Sequence, residues 1–240
     1  MDAIFGFHIG TLLGADIPSG TVIAPSGCCM AAFDKFTIRV RGRGCHGSTP
    51  EKGVDPVNAA AHIVLSLQAI TTREISAARS LVLTIGKVTA GSRWNVLAGS
   101  ALLEGTIRTF TTDTKVEEEM RRIVENTAAA FGAKATMTYN YMTPPVINSD
   151  EQLVRIAQDA VGKLYGKEYL VDVPTMMGSE DFANYAAEIP AVFGFIGCRD
   201  EANGMIYNNH HEKFTVNESL LPKGTALMAQ FAVDYLAGNA

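Results

Sequence analysis

The chain has 240 residues, a net charge of −5 at neutral pH, 47% hydrophobic and 19% charged residues. That length holds one large or two modest domains with ample surface to bury, and the balance is that of a globular chain rather than a disordered one. The acidic excess argues against nucleic acid as a partner, and no apolar run is long enough to span a bilayer.

Residues 1–14, MDAIFGFHIGTLLG, form an apolar, strand-like run with His8 in its middle. Asp2, the interruption at His8 and the lack of any Lys or Arg before Lys35 do not make the pattern of a secretory signal. The Gly- and Pro-rich stretch 12–27 reads as a loop. AFDKFTIRVRGRG (32–44) alternates Phe36, Ile38 and Val40 with Thr37, Arg39 and Arg41, a half-buried strand whose arginines, with Arg43, form a solvated face. Helical spacing over 55–70 predicts an amphipathic helix. SLVLTIGKVTAG (80–91) and SALLEGTIRTF (100–110) read as strands. DTKVEEEMRRIVENTAAAFG (113–132) reads as a helix with Thr114 and Glu117 as a capping box and Gly132 as its stop. KATMTYNYM (134–142) alternates as a strand. The β-α-β-β-α-β order from 34 to 142 predicts a ferredoxin-like unit.

Pro144 and Pro145 close that unit. A helix is expected over 149–166, with Ser149 and Gln152 as capping box, and another from Ser179 within GSEDFANYAAEIP (178–190). AVFGFIGC (191–198) reads as a strand buried on both faces, and 218–238 as a closing helix. The expected fold class is α/β: residues 1–33 and 146–240 are pieces of a partial catalytic α/β layer, and 34–145 a ferredoxin-like insertion. Four cysteines without a CxxC pair suit neither a disulfide framework nor a zinc knuckle, and read as reduced thiols of a cytoplasmic protein.

Five histidines, at 8, 46, 62, 210 and 211, carry most of the possible chemistry. His62 lies off the apolar face of its helix and reads as a surface residue. His8 sits in an apolar strand, where a satisfied core role competes with a metal-ligand role. Of the adjacent His210 and His211, at most one faces a metal. Glu180 and Asp181 also suit a helix N-terminus on dipole grounds alone. Arg108 is placed to hold a carboxylate by a two-pronged contact, or to pair with Glu104 on the same strand face. Cys45 and His46 point apart on an extended segment, which weakens a cysteine-nucleophile role. There is no GxSxG elbow, P-loop or GxGxxG fingerprint.

Taken in order, FGFHIG (5–10), IRVRGRGCHGSTPEKGVDPVNAAAHIV (38–64), RWNVL (93–97), LEGTIRTF (103–110), MMGSEDFANY (176–185) and YNNHHEKFTVNE (207–218) resemble the M20 metallopeptidase and amidohydrolase family. The branch most similar is that of hippurate, N-acyl-amino-acid and indole-acetyl-amino-acid hydrolases. The resemblance implies a zinc-peptidase-like catalytic domain with two divalent ions (Zn, Mn, Co or Ni) and an inserted lid that makes a homodimer. It assigns His8 and His210 as metal ligands and His46 as the lid histidine that steadies the oxyanion of the partner's site. It assigns Asn95 and Arg108 to the substrate carboxylate, and Glu180 to the family's GxEDF stretch as a substrate-side residue. The substrate implied is an N-acyl amino acid or small peptide.

Cys45 stands where a glycine is more usual in that family, a mild departure. The larger one is that a Cys/His ligand motif and a pair of glutamates, one of them the general base, have no counterpart in these 240 residues. The expectation is therefore a truncated or split enzyme, completed by an N-terminal chain and inactive alone. The alternative is a catalytically silent, dimerising or ligand-binding remnant.

Overall fold

The computed structural model describes residues 2–11 and 19–238. In chain order the elements are β1 (Ile4–Gly10), β2 (Val22–Ile23), β3 (Gly27–Met30), β4 (Ala32–Arg41), β5 (Cys45–His46), α1 (Pro56–Leu67), β6 (Leu81–Ala90), β7 (Val96–Leu97) and β8 (Ser100–Thr109). There follow α2 (Lys115–Ala130), β9 (Lys134–Thr143), β10 (Val146–Asn148), α3 (Glu151–Leu164), α4 (Ala183–Ala186), β11 (Ala191–Gly197) and α5 (Leu221–Gly238). They group into two compact units, one of Met1–Ala31 with Pro145–Ala240 and one of Ala32–Pro144.

In the first unit β11 lies between β1, parallel to it, and the short antiparallel β2. Every residue of β11 is buried, as its unbroken apolar run predicts. A second, two-stranded sheet pairs β3 with β10. Asn148, 1% exposed, joins the end of that pair to the larger sheet. Its Oδ1 accepts from Phe193 N at 2.8 Å, while Nδ2 donates to Phe193 O at 2.9 Å and Pro25 O at 2.7 Å. Side chains from β2, α3, β11 and α5 build a core that includes Val22, Val161, Ile196 and Leu227.

The second unit is a four-stranded antiparallel sheet, β6-β8-β4-β9, with α1 and α2 packed on one face. The connection order β4-α1-β6-β8-α2-β9 makes this the ferredoxin-like arrangement. Period-two alternation puts Phe36, Ile38, Val40, Leu103 and Ile107 against Ile63, Leu67, Met120 and Val124 of the helices. Each of the larger fully buried side chains contributes about 2 kcal/mol of hydrophobic stabilisation. Arg39, Arg41 and Arg43 are exposed.

Several local expectations change. The residues expected as a loop over 12–27 include β2, while 12–18 lie outside the described residues. Thr114 does not cap α2: its backbone is helical (φ −81°, ψ −2°) and its hydroxyl donates to Glu118 at 2.6 Å, leaving Asp113 to accept from Lys115 N. Asp150, not Ser149, caps α3, because its extended backbone lets the carboxylate accept from Gln152 N and Leu153 N. Gly132 does stop α2 in the left-handed region (φ 69°), with Gly132 N on Ala129 O and Ala133 N on Ala128 O closing a Schellman motif. The helix expected from Ser179 is only α4. Met176 N bonds to Cys29 O and Ala31 N to the carbonyls of Met176 and Gly178, which holds that stretch extended up to Gly178.

Candidate active site

The alternation of IFGFHIG decides what surrounds His8. Phe5, Phe7 and Ile9 share one face of β1, where the Phe5 ring sits 4.7 Å from Phe231 of α5 and Phe7 lies against Gly224. Gly6, His8 and Gly10 share the other. A Cβ on Gly6 would meet the Phe182 ring at 2.7 Å, and one on Gly10 would collide with the side chain of Asn209. The two glycines thus admit Phe182 and Asn209 on either side of the histidine.

His8 is half-buried, and its Nδ1 lies 2.8 Å from Ile9 O. A carbonyl only accepts, so Nδ1 carries the proton and the neutral ring presents a bare Nε2, the form that binds a metal. Glu180, also half-buried, has its carboxyl pushed above the usual range by burial and by its hydrogen bond to Asp181, a rise that the protonated form of nearby His8 offsets in part.

The segment 207–211 is fastened to the end of β1. Asn209 Oδ1 accepts from Thr11 N at 3.0 Å and its Nδ2 donates to Ile9 O at 3.2 Å. The Thr11 hydroxyl donates to Tyr207 O at 2.9 Å and to Asn208 Oδ1 at 3.3 Å. His210 follows with φ 69°, the one non-glycine residue of positive φ among the described residues. Such a conformation costs of order 1 kcal/mol or more and persists where the surroundings over-determine it. Here His211 N bonds to Asn208 O, the His211 ring stacks on Tyr207 at 4.5 Å, and Lys213 N bonds to His211 Nδ1. His211 is thereby engaged within its own turn, and His210 is exposed.

In the ferredoxin-like unit β4 and β8 continue past the sheet as a narrow ribbon. Gly42 N bonds to Gly99 O, β5 pairs with β7, and Gly47 N bonds to Asn95 O at 2.9 Å. The ribbon therefore brings His46 and Asn95 together. Trp94, 96% exposed, stands next to Asn95 at its tip. His46 Nδ1 accepts from Ser48 N at 3.2 Å and lies 2.7 Å from Ser48 Oγ, so in the neutral ring Nε2 carries the proton and faces outward as a donor.

Arg108 is elsewhere: it is eight residues along β8 from Ser100, about 26 Å at the rise of a strand. Its guanidinium lies 4.3 Å over the Phe33 ring, and burial lowers its pKa. Glu104, the partner weighed for it, pairs instead with Lys87 at 2.9 Å.

The sequence matches the profile of peptidase family M20/M25/M40 over residues 1–234. The chain belongs to that family. Among curated relatives, IAA-amino acid hydrolase ILR1-like 2 of Arabidopsis thaliana is 36% identical over 244 residues, covering 100% of this chain and 54% of the relative. N-acetyl-L-cysteine deacetylase of Bacillus subtilis is 33% identical over 241 residues, covering 100% and 55%. A solved structure of the B. subtilis YXEP protein, described as a dinuclear metal-binding peptidase of family M20, superposes with a TM-score of 0.79 at 33% identity, over 99% of this chain and 58% of that one. The chain thus spans little more than half the length of these M20 relatives. M20 members are metal-dependent hydrolases.

Asn209, Thr11 and the glycines at 6 and 10 escaped the sequence reading. The alternating FGFHIG itself was the available signal for the glycines. Nothing local marks Asn209, whose partners lie about 200 residues away in the chain.

Proposed function

We propose that this M20 chain carries part of the site of a metal-dependent amidohydrolase that cleaves N-acyl amino acids or small peptides. The observation that carries the proposal is the opposite proton placement on two histidines: His8 offers a bare Nε2, whereas His46 offers an Nε2–H. His8 and His210 would hold divalent ions, and the donor set fits in kind, since a carbonyl-bound imidazole is an ordinary metal ligand. Among the described residues no three His, Cys, Asp or Glu side chains gather into a metal-holding group, so the remaining ligands and the general base come, in this reading, from residues outside these 240. Bound there, the ions would acidify a water and polarise the acyl carbonyl.

The chain's own residues do the rest. His46 donates Nε2–H to the oxyanion as the carbonyl is attacked. Arg108, seated on Phe33, grips the free carboxylate of the amino acid, and Asn95 adds an amide donor. Glu180 lines the substrate side next to His8. Because Arg108 is separated along β8 from the ribbon that carries His46 and Asn95, one chain supplies them to two different substrates, which supports a homodimer with shared sites.

Tests follow directly. The purified 240-residue chain, supplied with Zn2+ or Mn2+, should show little or no release of glycine from benzoyl-glycine. Robust turnover by the chain alone would contradict the incomplete site.

A further inference from the structure

We infer that Asn209 is the positioning residue that sets the distance between the two metal-site histidines by bolting the His210 turn to the strand of His8. The inference rests on the assignment of His8 and His210 as ligands and goes beyond it by naming what holds them in register. Three observations on one small patch of structure carry it.

First, a single acceptor serves both sides. Ile9 O receives His8 Nδ1–H at 2.8 Å and Asn209 Nδ2–H at 3.2 Å, so one carbonyl fixes the His8 tautomer and the residue directly before His210. Second, the Asn209 amide brackets Gly10, donating to the carbonyl before it and accepting from the N–H after it, much as a residue of an added parallel strand would. Gly10 leaves the space for this, because any Cβ there collides with the amide. Third, the residue after the bolt is the strained one: His210 sits at φ 69°, clamped on its other side by the His211–Asn208 and His211–Tyr207 contacts. A left-handed histidine held from both flanks is a ring aimed by its surroundings rather than by its own preference.

Asn209 touches neither metal nor substrate in this account; it acts through His8 and His210. A purely structural cap at the end of β1 would change stability and leave the two rings' behaviour towards a metal unaltered. The experiment therefore titrates the 240-residue chain with Zn2+ and follows the ring signals of His8 and His210 by NMR. In the wild type both rings should respond together with a single affinity. Asn209→Ala should weaken that affinity about tenfold or more, the usual size of an outer-shell loss, and uncouple the two responses. Gly10→Ala, which displaces the amide without altering it, should do the same. Asn209→Asp, which keeps the acceptor for Thr11 N but has no donor for Ile9 O, should fall between.

An Asn209→Ala affinity within about twofold of the wild type, where outer-shell losses run to tenfold and more, overturns the inference while His8→Ala still abolishes the His210 response. A His210 response that survives His8→Ala overturns the shared metal site, and the positioning role with it.

Discussion

His8 and His46 present opposite ring nitrogens: His8 is tied through Nδ1–H to a carbonyl, and His46 through a bare Nδ1 to the Ser48 amide. In the proposed site this difference suits His8 to bind a metal and His46 to donate a hydrogen bond. Long-range 1H–15N NMR at a pH where both rings are neutral should find the proton on Nδ1 of His8 and on Nε2 of His46. The same tautomer at both rings would remove the distinction on which their roles rest.

Asn148 makes a stability prediction. Its amide satisfies Phe193 N, Phe193 O and Pro25 O in a site that is 1% exposed. Asn148→Ala leaves those groups buried and unpaired, and should cost about 2–3 kcal/mol in urea unfolding. An unchanged midpoint would show that the two sheets of the first unit do not depend on this amide.

What the sequence made legible follows the physics of range. Phe36, Ile38, Val40, Leu103 and Ile107 declared their buried face by a period of two, and β11 by its unbroken apolar run. Both rest on the pattern of neighbouring residues. The capping boxes were local too, yet Thr114 and Ser149 lost the role to Asp113 and Asp150, because backbone conformation decides which side chain faces the helix end. The histidines were visible as candidates, but their proton placement depends on Ile9 O and Ser48 N, which only folded geometry assigns. Asn209 was invisible, since its two partners, Ile9 in β1 and Thr11 just past its end, lie nearly the whole chain away. The separation of Arg108 from Asn95 was equally hidden: both lie in matching motifs, and only the ribbon beyond β8 shows how far apart they lie along the sheet.

The central claim is a metal-dependent amide hydrolase whose sites draw His46 from one subunit and His8 and His210 from the other. Mixing subunits of the completed enzyme tests it most directly. His46→Ala and His210→Ala should each abolish release of the amino acid from an N-acyl amino acid. Equal mixing after subunit exchange should restore roughly a quarter of wild-type activity, because half the dimers are mixed and each has one intact site. No recovery on mixing, with dimers shown to exchange, would contradict it.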